Sequence, residues 1–500
     1  MVSMELRIQQ GNIESIKTDC IVLGMFEGKP DARHNSLDGK LSGGIGSLFS
    51  SGEFRGEFRT LKAITTLGRL PAKNIILAGL GKKEEYDLEK LRKMGGITAK
   101  YARSLGFKDI ATDMHEVFMK DTGVRDKAQA LAEGALLGTY QFIKYRTVET
   151  DKIKKLISVT IVCSDNLQEA KKGADRARII SNTVNYVRTL VNEPASIMTS
   201  LGLEKEARKV ARECGLKIQV FGKRELERLG FGGLLAVNRG SMIEPRFIIV
   251  EYVGGKEKIA VVGKGIIFDS GGLDLKPAPY MDGMKCDKAG ACTALGIVKA
   301  AAELKLPVHV IAAMPITENM PGNMAYKPGD VVTTYSKKTI EIGNTDAEGR
   351  VILSDALSYV EKTFKPGAII DLATLTGACV AALGYAAAGV MGNDSRLLEG
   401  LKKAGNESFE RVWELPMYDE FKDAIKGEIA DVRNISSYPK GEAGAVTAAA
   451  FLSTFVESTP WAHIDIAGPA WINEEWPYAL KGATGYGVRL VVRFLENLGK

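Results

Sequence analysis

KIAVVGKGIIFDSGGLDLKP, residues 258–277, runs from an unbroken apolar strand into a loop that carries Lys264, Asp269 and Lys276, with Gly271 and Gly272 between the acid and the second lysine. A nearly continuous apolar run is what a strand needs when both faces of its sheet are covered. Similar runs recur at IQVFG (218–222), RFIIVEY (246–252), VHVIAAMP (308–315), GAIIDLATL (367–375) and AHIDIAG (462–468), with helical stretches at 288–305, 350–363 and 486–498. Upstream, TDCIVLGMFE, KNIILAGLG and LISVTIVCSD alternate with the helical EEYDLEKLRKMGGITAKYARSLG. Strands interleaved with amphipathic helices define an α/β protein, with a sheet flanked by helices. A long helical pattern, EAKKGADRARIISNTVNYVRTLVNEP, ends at Pro194 and reads as the connection between two lobes. The expected organisation is a smaller α/β domain over 1–165, a connecting helix over 166–194 and a larger domain over 195–500 with a mixed, largely parallel sheet.

A chain of 500 residues that is 45% hydrophobic has enough apolar material for such cores. Its 67 Lys and Arg stand against 61 Asp and Glu, a net charge of +6 that gives no reason to expect a nucleic-acid or membrane surface. Over residues 1–150 the count is 23 basic to 19 acidic, a tilt of four. Six cysteines, with no C-x-x-C pair, suit reduced thiols in a cytosolic protein. The opening MVSMELRIQQ lacks the apolar core of a signal peptide. Residues 372–393 are uncharged over 22 positions, but Ala, Gly and Thr dominate, and Gly377, Gly384, Gly389 and Gly392 would weaken a lone membrane helix. The expectation there is tightly packed core.

In open α/β sheets, ligands gather beyond the carboxyl ends of the strands. Three polar clusters fall in such places: the loop that follows the strand KIAVVGKG (258–265), MDGMKCDKAGA (281–291) with Asp287, and NTDAEGR (344–350) with Asp346, Glu348 and Arg350. Each has an ordinary reading. Asp287 can cap the small-residue helix that follows it, Thr345 or Asp346 can cap the next one, and Asp269 with its glycines can form a turn. Together they are harder to explain, because Lys264 and Asp269 abut apolar residues, and a buried charge is costly unless paired or bound to a metal. A divalent cation would relieve repulsion among the acids. Asp269, Asp287, Asp346 and Glu348 supply four carboxylates, enough to bridge two ions. Lys264 would join them only as the neutral amine, its pKa lowered by burial and by the cations.

The four histidines form neither H-x-x-x-H nor H-E-x-x-H, so a His-rich zinc site is not expected, and His309 and His463 fall inside strands as packed residues. Phosphate-cradling and nucleophile-elbow patterns are missing as well.

These residues resemble the cytosol, or leucyl, aminopeptidases, a family of dinuclear metallo-exopeptidases. NTDAEGR matches that family's hallmark motif, and VGKGIIFDSGGLDLKP and MDGMKCDKAGA match its other metal-binding segments. DLATLTGA, IADVRN, DIAGPAW and GATGYGVRLVVRFL are similar too, with a weaker likeness over GNIESIKTDCIVLGMFE. The resemblance implies a small macro-like N-terminal α/β domain, a larger catalytic domain and assembly as a homohexamer in the cytoplasm. It implies one metal held by Lys264, Asp269, Asp287 and Glu348, and a second by Asp269, Asp346 and Glu348. The ions would be manganese or zinc, with magnesium or cobalt as alternatives. Lys276 and Arg350 correspond to the catalytic residues, a bicarbonate ion sitting at Arg350, and Met284, Thr374 and Gly377 to the lining of the substrate pocket. The implied activity is hydrolytic: a metalloprotease that takes peptides with a free N-terminus and releases Leu and other apolar residues through a water activated by two metals. Two rivals stay open on the residues alone. One is a carboxylate-bridged phosphohydrolase; the other is DNA binding, although no recognition helix or aromatic-basic platform is present.

Overall fold

The computed structural model describes residues 4–28, 30, 32–439 and 441–499. The chain divides into two compact units, Met1–Asn182 with Glu474–Lys481, and Thr183–Asn473 with Gly482–Lys500. The division falls inside a 26-residue helix, Leu167–Asn192.

The first unit holds strands β1 (Glu5–Gln10), β2 (Cys20–Phe26), β3 (Leu61–Thr65), β4 (Asn74–Gly81), β5 (Asp109–Thr112) and β6 (Ser158–Cys163). They form one sheet in the order β1-β6-β5-β2-β4-β3, parallel except that β3 runs against β4. The helix Leu88–Leu105 starts cleanly because the Asp87 side chain accepts the Lys90 N–H, satisfying one of the free donors of its first turn.

The second unit holds β7 (Lys217–Phe221), β8 (Arg246–Val253), β9 (Lys258–Gly263), β10 (Gly265–Asp269), β11 (His309–Asn319), β12 (Val331–Thr333), β13 (Thr339–Glu341), β14 (Ala368–Ala373), β15 (Ala388–Gly392), β16 (Val412–Glu414), β17 (Val432–Arg433) and β18 (Trp461–Asp465). The large sheet runs β16-β15-β18-β14-β9-β11-β8-β7, with β10 also on β11. Its centre is parallel, and antiparallel pairs lie toward both edges. A small sheet, β12-β13-β17, stands beside it. The even-numbered side chains of β9, Ala260 and Val262, share an apolar core with Val351, Ile352 and Leu353 of the helix Glu348–Phe364. Gly263 backs onto Gly290 and Ala291 of the helix Ala289–Glu303 on the other face. Both faces of the sheet are therefore covered, which is why β9 reads as an unbroken apolar run.

The protein is thus a mixed α/β fold with largely parallel sheets flanked by helices. Three local expectations are corrected. The apolar run 258–265 is two strands, not one: it breaks at Lys264, whose N–H goes to Leu372 and whose C=O takes the Ala291 N–H. The run 308–315 continues through four further residues to Asn319. The stretch 372–393 is buried along its two strands and at Thr376 and Cys379; Gly377, Ala381 and Ala382 of the short helix Gly377–Leu383, and Tyr385 and Ala386 beyond it, are exposed. Among the described residues no helix is long and apolar enough to cross a membrane, and all six cysteines are free.

Candidate metal centre

Lys264 sits at the break between β9 and β10, and its side chain passes over the first turn of the helix Glu348–Phe364. That path exists because residue 349 is glycine: a Cβ there would lie 2.5 Å from Lys264 Cε. The ammonium donates to the Thr374 carbonyl at 2.9 Å and forms ion pairs with Asp287 Oδ2 and Glu348 Oε1, each at 2.9 Å. Lys276 forms a second bridge, 2.9 Å from Asp269 Oδ2 and 2.5 Å from Asp346 Oδ1. Asp269, Asp287, Glu348 and Lys264 are buried, whereas Asp346 keeps a third of its side chain in solvent. Oxygens of Asp269, Asp346 and Glu348 all lie within 4.8 Å of one another.

The capping explanations for these acids do not hold. The helix begins at Glu348 with Ala347 at the cap position and no side-chain cap. Thr345 instead donates from its hydroxyl to the Gly271 carbonyl (2.7 Å) and exchanges hydrogen bonds with Asp274, while Asp346 turns to Lys276. Asp287 lies in a 3-10 turn, Met284–Lys288, and accepts the Thr374 hydroxyl at 2.7 Å; the cap of the next helix is Lys288.

Four carboxylates face two ammonium groups, leaving two negative charges over in a buried volume. The cost shows in the titration of the acids. Burial, and then the neighbouring Asp269 carboxylate, push Glu348 up to about 8. Asp287 and Asp346 are raised as well, burial being the larger cause in each. Burial pulls Lys264 down, but Asp287, Glu348 and Asp269 outweigh it and hold the ammonium above its ordinary value. The expected depressed lysine is therefore not what the carboxylates alone produce; a neutral amine there requires cations to take over the lysine's charge. The donor set fits such cations: hard oxygens, an excess of two negative charges and a cluster of adequate span.

Arg350 is buried, its guanidinium donating to the Asn434 carbonyl at 2.9 Å while Nε has no hydrogen-bond partner among the described residues. Burial draws it down to about 10 against the pull of Glu348 and Asp465. Met284 is half-buried, Gly377 is exposed with open space where a side chain would project, and Thr374 is committed to Asp287. His309 pairs with Glu251 and His463 with Asp371.

Two amides that motif reading overlooked hold the loops in place. Asn434, just past β17, accepts the N–H of Gly343 (2.7 Å) and donates to the Asn344 carbonyl (2.6 Å), and its own carbonyl receives Arg350. Asn319, the last residue of β11, donates to Asp269 and to the Thr345 carbonyl. The available signal for Asn319 was a polar residue at the carboxyl end of an apolar strand.

Lysine-bridged acids at the strand ends of the larger sheet form a carboxylate-rich centre of the kind that holds divalent ions. Residues 185–492 match the catalytic domain of the cytosol aminopeptidase family and residues 22–149 its N-terminal domain, and the chain is a member of that family. It is 42% identical over 498 residues to a probable cytosol aminopeptidase of Geobacter sp. (strain M21), covering 99% of this chain and all of the relative. It is 41% identical to one from Roseiflexus castenholzii (strain DSM 13941 / HLO8) over 99% of both chains. Among solved structures, a mutant of tomato leucine aminopeptidase superposes with a TM-score of 0.87 at 30% identity, over 99% of this chain and 97% of that one. The bottromycin maturation enzyme BotP in complex with Mn gives 0.87 at 28%, over 97% and 100%. The protein is accordingly a metal-dependent aminopeptidase acting on peptides.

Proposed function

We propose that the enzyme removes Leu and other apolar residues from peptide N-termini with two divalent ions per subunit. The observation that carries this is the buried excess of carboxylate around Lys264 and Lys276. One ion would be held by Lys264, Asp269, Asp287 and Glu348, the other by Asp269, Asp346 and Glu348. Manganese or zinc suits the site; the complex of BotP with Mn favours the former. When bound, the ions supply Lewis acidity and a nucleophile active near neutral pH.

The chain's own residues supply the rest. Lys276, kept charged by Asp269 and Asp346 in spite of burial, places an ammonium where negative charge develops on the carbonyl oxygen. The acids of the cluster are committed, and the nearby histidine of β18 is tied to Asp371, so no side chain serves as general base. Arg350, anchored through Asn434 and with Nε free, is suited to hold a bicarbonate ion that moves the proton. Met284, Thr374 and Gly377 would receive the departing residue's side chain. With its hydroxyl spent on Asp287, Thr374 offers mainly a methyl group, which suits an apolar residue. By the same family likeness the subunits assemble as a cytoplasmic homohexamer, a mass that light scattering would read.

The test compares Leu-p-nitroanilide with its N-acetylated form on enzyme stripped with EDTA and reloaded with Mn2+. Activity should return with the metal and be confined to the free amine; equal cleavage of the acetylated compound overturns the exopeptidase reading. Lys276→Ala should slow turnover roughly a hundredfold to a thousandfold. Arg350→Ala should lower turnover with metal content intact, whereas Asp346→Asn should lose metal and activity together. Equal metal loss in both variants would overturn the division of roles.

A further inference from the structure

We infer that Asn319 is the positioning residue that fixes which oxygens of Asp269 and Glu348 face the metal positions, an assignment that rests on the two-metal reading above. Asn319 is fully buried at the end of β11, where it pairs in register with Asp269 across to β10. Its Nδ2 lies 2.8 Å from Asp269 Oδ1, 3.0 Å from the Thr345 carbonyl and 3.4 Å from Glu348 Oε2. Three oxygens around one amide nitrogen settle its orientation, since the flipped amide would set oxygen against oxygen. The two N–H bonds therefore serve one carboxylate closely and share the second hydrogen between the Thr345 carbonyl and the other carboxylate.

The consequence is selective. Asp269 Oδ1, which also accepts the Gly271 N–H at 2.9 Å, and Glu348 Oε2 are turned inward to the amide, so Asp269 Oδ2 and Glu348 Oε1 are the oxygens that meet Lys276 and Lys264, on the side where positive charge collects. These are the two acids assigned to both ions. A neutral donor orients them without cancelling their charge; a lysine in its place would compete with the ions, and an aspartate would add another negative charge.

The frame around the amide is rigid. The Asn319 carbonyl takes both the N–H (3.0 Å) and the hydroxyl (2.7 Å) of Ser270. Gly272, at φ +67°, leaves room for Asn319 Oδ1, which a Cβ would approach to 2.9 Å. That Oδ1 has no hydrogen-bond partner among the described residues, so the amide is held for what its nitrogen donates.

Groups that orient a ligating carboxylate typically contribute about ten- to a hundredfold to metal affinity. The experiment is calorimetric titration of EDTA-stripped protein with Mn2+, together with the electron paramagnetic resonance spectrum of the loaded form. Wild type should bind two ions and show a spin-coupled pair. Asn319→Ala and the near-isosteric Asn319→Asp should bind at least one ion about ten- to a hundredfold more weakly and show uncoupled Mn2+. Asn319→Ser replaces the alanine variant if that one does not fold. Two ions of unchanged affinity and an unchanged coupled spectrum in the variants would overturn the role of Asn319 and leave the two-metal reading standing. Fewer than two ions on wild type would instead overturn the two-metal reading itself.

Discussion

In the first unit, His34 follows β2 while Asp113 and His115 follow β5, its neighbour in the sheet; in the second, Lys264, Asp269 and the acids they meet gather at the ends of β9 and β10. Both groups are buried and both stand at strand ends, yet they treat charge in opposite ways. The ring nitrogens of His34 and His115 have no hydrogen-bond partner among the described residues, and His34 Nε2 lies 3.5 Å from Asp113 Oδ2. Burial draws His115 down to about 4, so the ring rests neutral. In the second cluster each of the two lysines is matched to two acids and negative charge is still left over. Burial alone does not mark a reactive site, because most buried groups shed their charge. What sets the second cluster apart is charge kept at high cost, which makes sense only where further positive charge is due.

The largest effect should come from breaking that pairing. Lys264→Met preserves volume and removes the partner of Asp287 and Glu348, so metal-free protein should lose about 3–5 kcal/mol of stability, with hydrolysis abolished. Denaturation is best measured at pH 9, above the value near 8 of Glu348, where that acid cannot escape by taking up a proton. An unchanged midpoint there would show that the lysine's charge does not hold the cluster. The same acid gives a pH dependence to wild type. Its folded pKa is raised above the unfolded value, so the stabilisation is complete near pH 4.5 and is lost as pH rises through 8, at no more than about 1.4 kcal/mol per pH unit. Mn2+ should flatten the slope of stripped protein between pH 5 and 8; a slope indifferent to the ion would detach the acids from metal binding. Asn434→Ala should cost less, about 1–3 kcal/mol for the backbone groups of the 343–347 loop left unpaired. It should also lower kcat, since Arg350 keeps its acceptor only if the Asn434 backbone stays in place. A full kcat in a destabilised variant would confine Asn434 to stability.

Lys264 and Asp269 were legible because each set a charge against an apolar strand, an anomaly visible in one dimension, whereas Asp287, Asp346, Glu348 and Lys276 stood out through their polar clusters and the family motifs. Three other features were not legible. Asn319 and Asn434 are neutral and raise no such anomaly; Asn319 meets Asp269 across 50 residues, and Asn434 meets Arg350 across 84. Only strand register brings them together. The raised value of Lys264 in the ion-free cluster could not be anticipated, because the number of carboxylates around it is a matter of geometry and not of neighbours in the chain. The break at Lys264 escaped notice for a related reason: an apolar run signals burial, but β9 and β10 differ in their pairing partners, which side-chain pattern does not encode.

The comparison is sharpened most finely on its neutral side. His115 has a folded pKa near 4 against an ordinary 6.5, so between those values the unfolded chain binds more protons and stability falls as pH falls. From pH 7 to 5.5 the loss should be about 1 kcal/mol, small beside the effects predicted at the metal centre. Thermal unfolding of wild type and His115→Leu at the two pH values isolates it, because whatever the leucine does to packing is common to both conditions. Wild type should lose about 1 kcal/mol more than the variant on acidification. Parallel losses would mean that the ring takes up its proton in the folded protein as readily as in the unfolded chain, and the contrast between the two clusters would fail.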